Sequence, residues 1–204
     1  MNTTELKRQR GRPSSFDHEE ALGKALQVFW ARGYEGATMA ELTDALGINR
    51  PSIYAAFGNK EELFLKALGK YLSGPVGYFA EAMKQPTARQ AVEMFLTKSA
   101  ELLTNKNNPQ GCMVVQGALS CGQGADLIQR ELIAQRKGYE ETLRQRLVLA
   151  QSQSELPKGL NTFEFAKYLT TVHQGMSVQA TSGATKEELL AVVGLVLKNW
   201  PTSS

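Results

Sequence analysis

The chain has little of several features that would place it in a specialised class. It has two cysteines in 204 residues, Cys112 and Cys121, which are too few for a disulfide framework. The longest apolar stretch, Leu189 to Leu197, is too short to cross a bilayer and contains Gly194. The N-terminus is polar and basic with no apolar run behind it, so no secretory signal is expected. Together these absences favour a protein of the reducing cytoplasm.

Proline is also scarce, and no alternating strand pattern is visible. The seven prolines tend to lie between segments with helical apolar spacing. We predict an all-α protein of about nine helices, which begin near Asp17, Thr38, Arg50, Asn59, Thr87, Cys112, Asp126, Phe165 and Thr185. No phosphate-binding loop, HExxH or GxSxG motif is present, so no metal, no cofactor and no enzymatic activity are expected.

Positive charge is concentrated in a short N-terminal arm. Residues 1–12 contain four basic side chains and one acidic side chain, whereas residues 13–66 contain five basic and eight acidic ones. A basic arm before a compact helical unit is a common device for binding nucleic acid, which makes Arg10 and Arg12 candidate DNA contacts. A disordered, solubilising tail would explain the same composition equally well.

Residues 38 to 57 have the spacing of a helix-turn-helix. Thr38-Met39-Ala40-Glu41 is a capping box that begins the first helix, and Gly47 ends it. Glycine suits this turn because the turn requires a left-handed backbone. The second helix is predicted from Arg50 to Phe57. A structural three-helix bundle with ordinary caps is the alternative.

The second helix has one face suited to the major groove. At 100° per residue, Ile53 and Phe57 lie close together and are expected to face inward. Small side chains on the opposite face would allow the helix to approach base edges. The candidate base contacts are Arg50, Pro51, Ser52 and Ala55, and the candidate phosphate contacts are Tyr54, Lys60 and Thr38.

The same block resembles a known family. Thr38-Met39-Ala40-Glu41-Leu42, Leu46-Gly47-Ile48, Pro51-Ser52-Ile53-Tyr54 and Phe57-Gly58-Asn59-Lys60-Glu61-Glu62-Leu63-Phe64 are similar to the TetR/AcrR family of bacterial regulators. The resemblance implies a basic arm (1–15), a DNA-binding domain (16–66) and a ligand-binding and dimerisation domain (67–204). It implies phosphate contacts at Tyr54 and Lys60, and Arg10-Gly11-Arg12-Pro13 resembles a minor-groove arm of some members. The implied partners are a palindromic double-stranded DNA operator, a small-molecule effector and a second copy of the chain.

The last two helices are unusually apolar for a chain end. Paired across a two-fold axis, they would form a four-helix interface. A dimer also suits DNA binding, because two recognition helices must reach half-sites about 34 Å apart. The residues expected in this interface are Val172, Met176, Leu189, Val193, Val196 and Trp200. Burial within one subunit is the alternative explanation.

The candidate ligand-binding residues are Phe95, Cys112, Met113, Tyr139 and His173. Cys112 follows a loop and begins a helix, where the helix dipole would lower the pKa of the thiol and suit a sensor of oxidants or electrophiles. The alternative is a small buried side chain, because free cysteine is among the most buried residue types. His173 can equally be a core histidine.

We therefore expect a ligand-responsive transcriptional regulator, of the repressor type, that a small molecule releases from its operator. A cysteine-sensing regulator acting through Cys112 is the main alternative. An enzyme using a Cys112/His173 pair is a remote one, because no signature brings the two side chains together. A DNA-binding protein without sequence preference would need widespread positive charge, and the acidic balance of residues 13–66 argues against it.

Overall fold

A computed structural model describes residues 17–119 and 125–202. Over these residues the protein is all-helical, which confirms the expected fold class. The ten helices are α1 (His18–Gly36), α2 (Met39–Leu46), α3 (Arg50–Phe57), α4 (Lys60–Ser73), α5 (Tyr78–Met83), α6 (Ala88–Leu103), α7 (Met113–Leu119), α8 (Asp126–Ser152), α9 (Thr162–Thr181) and α10 (Lys186–Lys198). Arg10, Arg12 and Cys121 lie outside the described residues.

Local sequence signals begin the first four helices. The Asp17 carboxylate accepts hydrogen bonds from the backbone N–H groups of Glu19 and Glu20. Thr38 and Asn59 each form a complete capping box, so the starts of α2 and α4 are satisfied within a few residues. These caps fix where each helix begins.

α4 connects the two parts of the molecule. It packs against α1, where Phe64 meets Phe29 edge-to-face at 5.1 Å between ring centroids. The helix then runs unbroken past residue 66, the expected domain boundary, as far as Ser73. Its second half carries Tyr71 into the C-terminal part of the protein, where the side chain is fully buried.

The C-terminal part is built around α6, α8, α9 and α10. α8 packs against α7 and α9, and α10 packs against α6. The short α5 lies on α6, with Phe79 edge-to-face against Phe95 at 5.1 Å. None of the helices in residues 17–119 and 125–202 is both long and apolar enough to cross a membrane.

Candidate DNA-binding interface and ligand cavity

The turn between α2 and α3 has the geometry expected from the sequence. Gly47 adopts a left-handed conformation, with φ of 70° and ψ of 22°. Ile48 packs half-buried against the core, and Ile53 and Phe57 are buried on the inner face of α3. The two helices are therefore held at a fixed angle by apolar contacts and one glycine turn.

The outer face of α3 is open to solvent. Arg50, Pro51, Ser52, Tyr54 and Ala55 are all exposed, as the angular analysis predicted. Arg50 Nε donates a hydrogen bond to the Tyr54 hydroxyl at 2.9 Å, and the guanidinium lies 5.6 Å from the centre of the Tyr54 ring. Tyr54 thus holds Arg50 along the helix surface, where the other N–H groups of the guanidinium remain available to a base edge.

Two of the three candidate phosphate contacts, Thr38 and Lys60, lie at the starts of α2 and α4. Thr38 is exposed, and its hydroxyl donates to Glu41 Oε2 at 3.0 Å while accepting from the Glu41 backbone N–H at 3.1 Å. Lys60 Nζ lies over the ring of Tyr34, 4.4 Å from its centre. Partial burial lowers the pKa of Lys60 from its ordinary value. Both side chains are near helix N-termini, whose free N–H groups suit a phosphate oxygen.

A small cavity of about 30 Å³ lies inside the C-terminal part. It is lined by Tyr71 from α4, Tyr78 and Phe79 from α5, Phe95, Leu102 and Leu103 from α6, Arg136 and Tyr139 from α8, and Thr170, His173 and Gln174 from α9, together with Val76, Cys112, Val114 and Val115. Its walls are mostly apolar. A cavity between several helices is a usual place for a small ligand.

Four of the five predicted ligand-binding residues line this cavity: Phe95, Cys112, Tyr139 and His173. Met113 is buried but does not line it. Sequence reasoning missed Arg136 and Gln174, although each had a signal. Arg136 lies three residues before Tyr139 on α8, and Gln174 directly follows His173 on α9.

The expected low pKa of Cys112 is wrong. Burial raises the pKa of this thiol and outweighs the backbone N–H groups of Val115 and Val114, which lower it. The Tyr71 hydroxyl donates to Cys112 Sγ at 3.4 Å, and the Cys112 backbone N–H donates to Ser177 Oγ at 2.8 Å. The side chain is therefore a protonated part of the cavity wall, and the helix-dipole argument for a sensor does not hold.

Cys112 also adjoins a contact between the two parts of the molecule. Trp30, on α1, donates its indole N–H to the Gly111 carbonyl at 2.8 Å, and its ring meets Tyr71 edge-to-face at 4.8 Å. Gly111 has φ of 84°, and a Cβ atom there would come within 2.7 Å of Thr181 Cγ2. Glycine is thus needed at the point where α1 is attached to the cavity wall.

The predicted dimer residues need a correction. Met176, Leu189, Val193 and Val196 are buried within the subunit, because their faces of α9 and α10 pack on the core. The exposed apolar side chains of these two helices lie on other faces. They are Phe163, Tyr168, Val178, Val192 and Leu195, and Leu195 is the most exposed of them at 61%.

Comparison with known proteins assigns the family. The family model described as "Bacterial regulatory proteins, tetR family" matches residues 21–67, which contain the helix-turn-helix. The HTH-type transcriptional repressor ComR of Escherichia coli is 32% identical over 96% of this chain and 94% of its own length. The repressor BdcR from the same organism is 31% identical, again over 96% and 94%. The chain belongs to the TetR family.

Solved structures agree with this assignment. A cysteine mutant of the TetR family regulator CifR, in complex with 26-base-pair operator DNA, superposes with a TM-score of 0.88 at 39% identity. That match covers 93% of this chain and 100% of the CifR chain. As a TetR family member, the protein is a DNA-binding transcriptional regulator, and its relatives are regulators rather than enzymes. Among the described residues, no cluster of His, Cys, Asp and Glu could hold a metal ion.

Proposed function

We propose that the protein is a homodimeric transcriptional repressor that binds a palindromic operator and is released from it by a small molecule. The observation that carries this proposal is the exposed face of α3, the second helix of the helix-turn-helix, on which Arg50 lies beside Tyr54. The relatives ComR and BdcR are named as repressors, and CifR was solved on operator DNA. A regulator that binds operator DNA must reach the bacterial chromosome, and the proposal therefore includes a cytoplasmic location.

In this proposal Arg50, Pro51, Ser52 and Ala55 contact bases, while Tyr54, Lys60 and Thr38 contact phosphates. Thr38 would give up its hydrogen bond to Glu41 Oε2 when its hydroxyl binds a phosphate. Arg10 and Arg12 would supply minor-groove and nonspecific contacts from the arm.

The size of the cavity supports release by a ligand. A volume of about 30 Å³ holds little more than a water molecule, so an organic ligand must move the walls apart. Two parts of the cavity wall are connected to α1. Tyr71 belongs to α4, which packs on α1. Cys112 follows Gly111, whose carbonyl accepts a hydrogen bond from Trp30 of α1. Opening the cavity would therefore displace the DNA-binding helices. A ligand would favour the conformation in which the distance between the two recognition helices no longer matches the operator half-sites.

A gel-shift titration with the DNA upstream of the protein's own gene tests operator binding. The double variant Arg50→Ala with Tyr54→Ala should weaken specific binding by at least about thirtyfold, since an arginine–base contact contributes about 1–3 kcal/mol and a dimer makes two of them. Both side chains are exposed, so the variant should keep the wild-type far-UV circular dichroism.

Arg130→Ala is the matched control, because it removes the same charge from an exposed position on α8. It should bind the operator like the wild type. Specific binding that survives the double substitution would refute the assignment of α3 as the recognition helix.

A further inference from the structure

We infer that the cavity binds a hydrophobic monocarboxylate, an aromatic or short aliphatic acid whose carboxylate pairs with Arg136. This inference rests on the proposed ligand response and names the chemical class of the ligand. It depends on how the polar groups in the cavity wall are already used.

Arg136 is the one charged side chain among the cavity-lining residues that the structure describes. Its guanidinium makes no hydrogen bond or ion pair with any described residue. The carboxylate of Glu140, one turn further along α8, is instead held by Lys167 Nζ at 2.6 Å. The Arg136 charge acts on the cavity itself, since it lowers the pKa of the Cys112 thiol against the larger effect of burial. Arg136 is half-buried at the cavity wall, and a cation placed there without a counter-ion favours an anionic ligand.

The remaining polar groups of the cavity divide into used and unused ones. The Tyr71 hydroxyl donates to Cys112, the Tyr78 hydroxyl pairs with Ser99 Oγ at 3.0 Å, and Thr170 donates to the Ala166 carbonyl at 3.0 Å. These groups are satisfied within the protein.

The side chains of Tyr139, His173 and Gln174 make no hydrogen bond with the described part of the chain. A tyrosine hydroxyl, a neutral imidazole and a carboxamide can each donate a hydrogen bond. With the guanidinium they form a donor-rich group at the α8–α9 side of the cavity. A carboxylate, which only accepts hydrogen bonds, matches this group best.

The rest of the wall selects the body of the ligand. Val76, Phe79, Phe95, Leu103, Val114 and Val115 form an apolar surface. Phe79 contacts both Phe95 and Tyr139 edge-to-face, at 5.1 and 4.6 Å between ring centroids. Once the walls have moved apart, a flat or slender apolar group would fit between them. A single guanidinium balances one negative charge, so a doubly charged phosphate monoester would leave buried charge uncompensated.

Titration calorimetry on the full-length protein, with matched pairs of ligands, tests the inference. The probes are phenylacetate, 3-phenylpropionate and hexanoate, each compared with its primary amide, which has nearly the same shape but no charge. We expect at least one acid to bind ten times or more tightly than its amide. Arg136→Gln should reduce that ratio to about two or less, and Arg136→Lys should keep part of it, because lysine retains the charge without the bidentate geometry.

Arg130→Gln is the control, since it removes an exposed arginine from the same helix. It should keep the wild-type preference for the acid. Amides that bind as tightly as acids, an acid preference that survives Arg136→Gln, or no binding of any probe would each overturn the inference.

A gel shift with the same probes separates this inference from the proposed function. If an acid binds with an Arg136-dependent preference but does not release the operator, the ligand class stands and the ligand response fails. If a neutral amide releases the operator while the acids do not bind, the ligand response stands and the carboxylate assignment fails.

Discussion

His173 is the clearest case in which burial changes the chemistry of a single side chain. Its ring packs on Phe95 at 4.9 Å between centroids, and burial lowers its pKa from 6.5 to about 4. The imidazole is therefore neutral at physiological pH. In this form it can donate or accept a hydrogen bond in the cavity, and it adds no second positive charge beside Arg136.

The depressed pKa of His173 predicts a loss of stability in mild acid. The unfolded chain takes up a proton below pH 6.5, whereas the folded protein does so only near pH 4, so the free energy of unfolding falls as the pH is lowered between these values. We expect a loss of about 2 kcal/mol between pH 7 and pH 5 from this residue. Urea denaturation at the two pH values, at fixed protein concentration, measures it.

His173→Gln should lose most of this pH dependence. His18→Gln is the matched control on the exposed surface of α1 and should behave like the wild type. Equal pH dependence in the wild type and His173→Gln would contradict the lowered pKa of His173.

The sequence predicts whether an individual side chain is exposed where this follows from the angle of that residue around its helix. The exposed residues of α3 could be assigned because Ile53 and Phe57 fix which face is buried. The pKa of Cys112 could not be predicted in this way, because it depends on a competition between burial, which raises it, and backbone N–H groups of the helix, which lower it. Only the packing of distant segments, which buries the thiol and brings Tyr71 to it, decides that competition.

Among the helices, those with strong caps can be predicted from the sequence and those between other elements cannot. The helices predicted to begin near Thr38, Asn59, Thr87 and Thr185 do begin there, and each starts with a complete capping box. The sequence does not predict the short α5, because Gly74-Pro75 ends the preceding pattern and Gly77 offers no side-chain cap. α5 is held by its contacts with α6, which a local pattern does not contain.

Two glycines should respond in opposite ways to the same substitution. Gly47 has positive φ, and no neighbouring atom lies within 4 Å of the place that a Cβ atom would take, so Gly47→Ala should cost about 1 kcal/mol from backbone strain alone. Gly138 lies inside α8 with equally open surroundings, so Gly138→Ala should stabilise the protein by about 0.5–1 kcal/mol. Urea unfolding of both variants gives the two signs, and a stabilising Gly47→Ala would contradict the left-handed turn.

For the whole molecule, the exposed apolar faces of α9 and α10 are the best candidates for the dimer interface. The sequence predicted an interface on these two helices, but four of the residues that it named there, Met176, Leu189, Val193 and Val196, are buried within the subunit. Apolar residues occur on more than one face of each helix, and only the packing of α10 on α6 shows which face is already used. Val178, Val192 and Leu195 remain for a second copy of the chain.

Leu195→Glu should convert the protein to a monomer, because the charge would be buried in an apolar contact between subunits. Light scattering coupled to size-exclusion chromatography measures the mass, and operator affinity should fall with it. Leu149→Glu is the matched control, since Leu149 is also half-exposed, at 49%, but lies on α8. A Leu195→Glu variant that stays dimeric would rule out this face.

The hydrogen bond from the Trp30 indole to the Gly111 carbonyl has a consequence for protein engineering. Regulators with new operators are commonly sought by joining the DNA reader of one protein to the effector module of another. In this chain a fusion boundary near residue 66 would divide α4. It would also take Trp30 and Gly111, which share a hydrogen bond, from different parent proteins. A chimera that keeps inducer control should therefore inherit Trp30, the whole of α4 and Gly111 from the same parent.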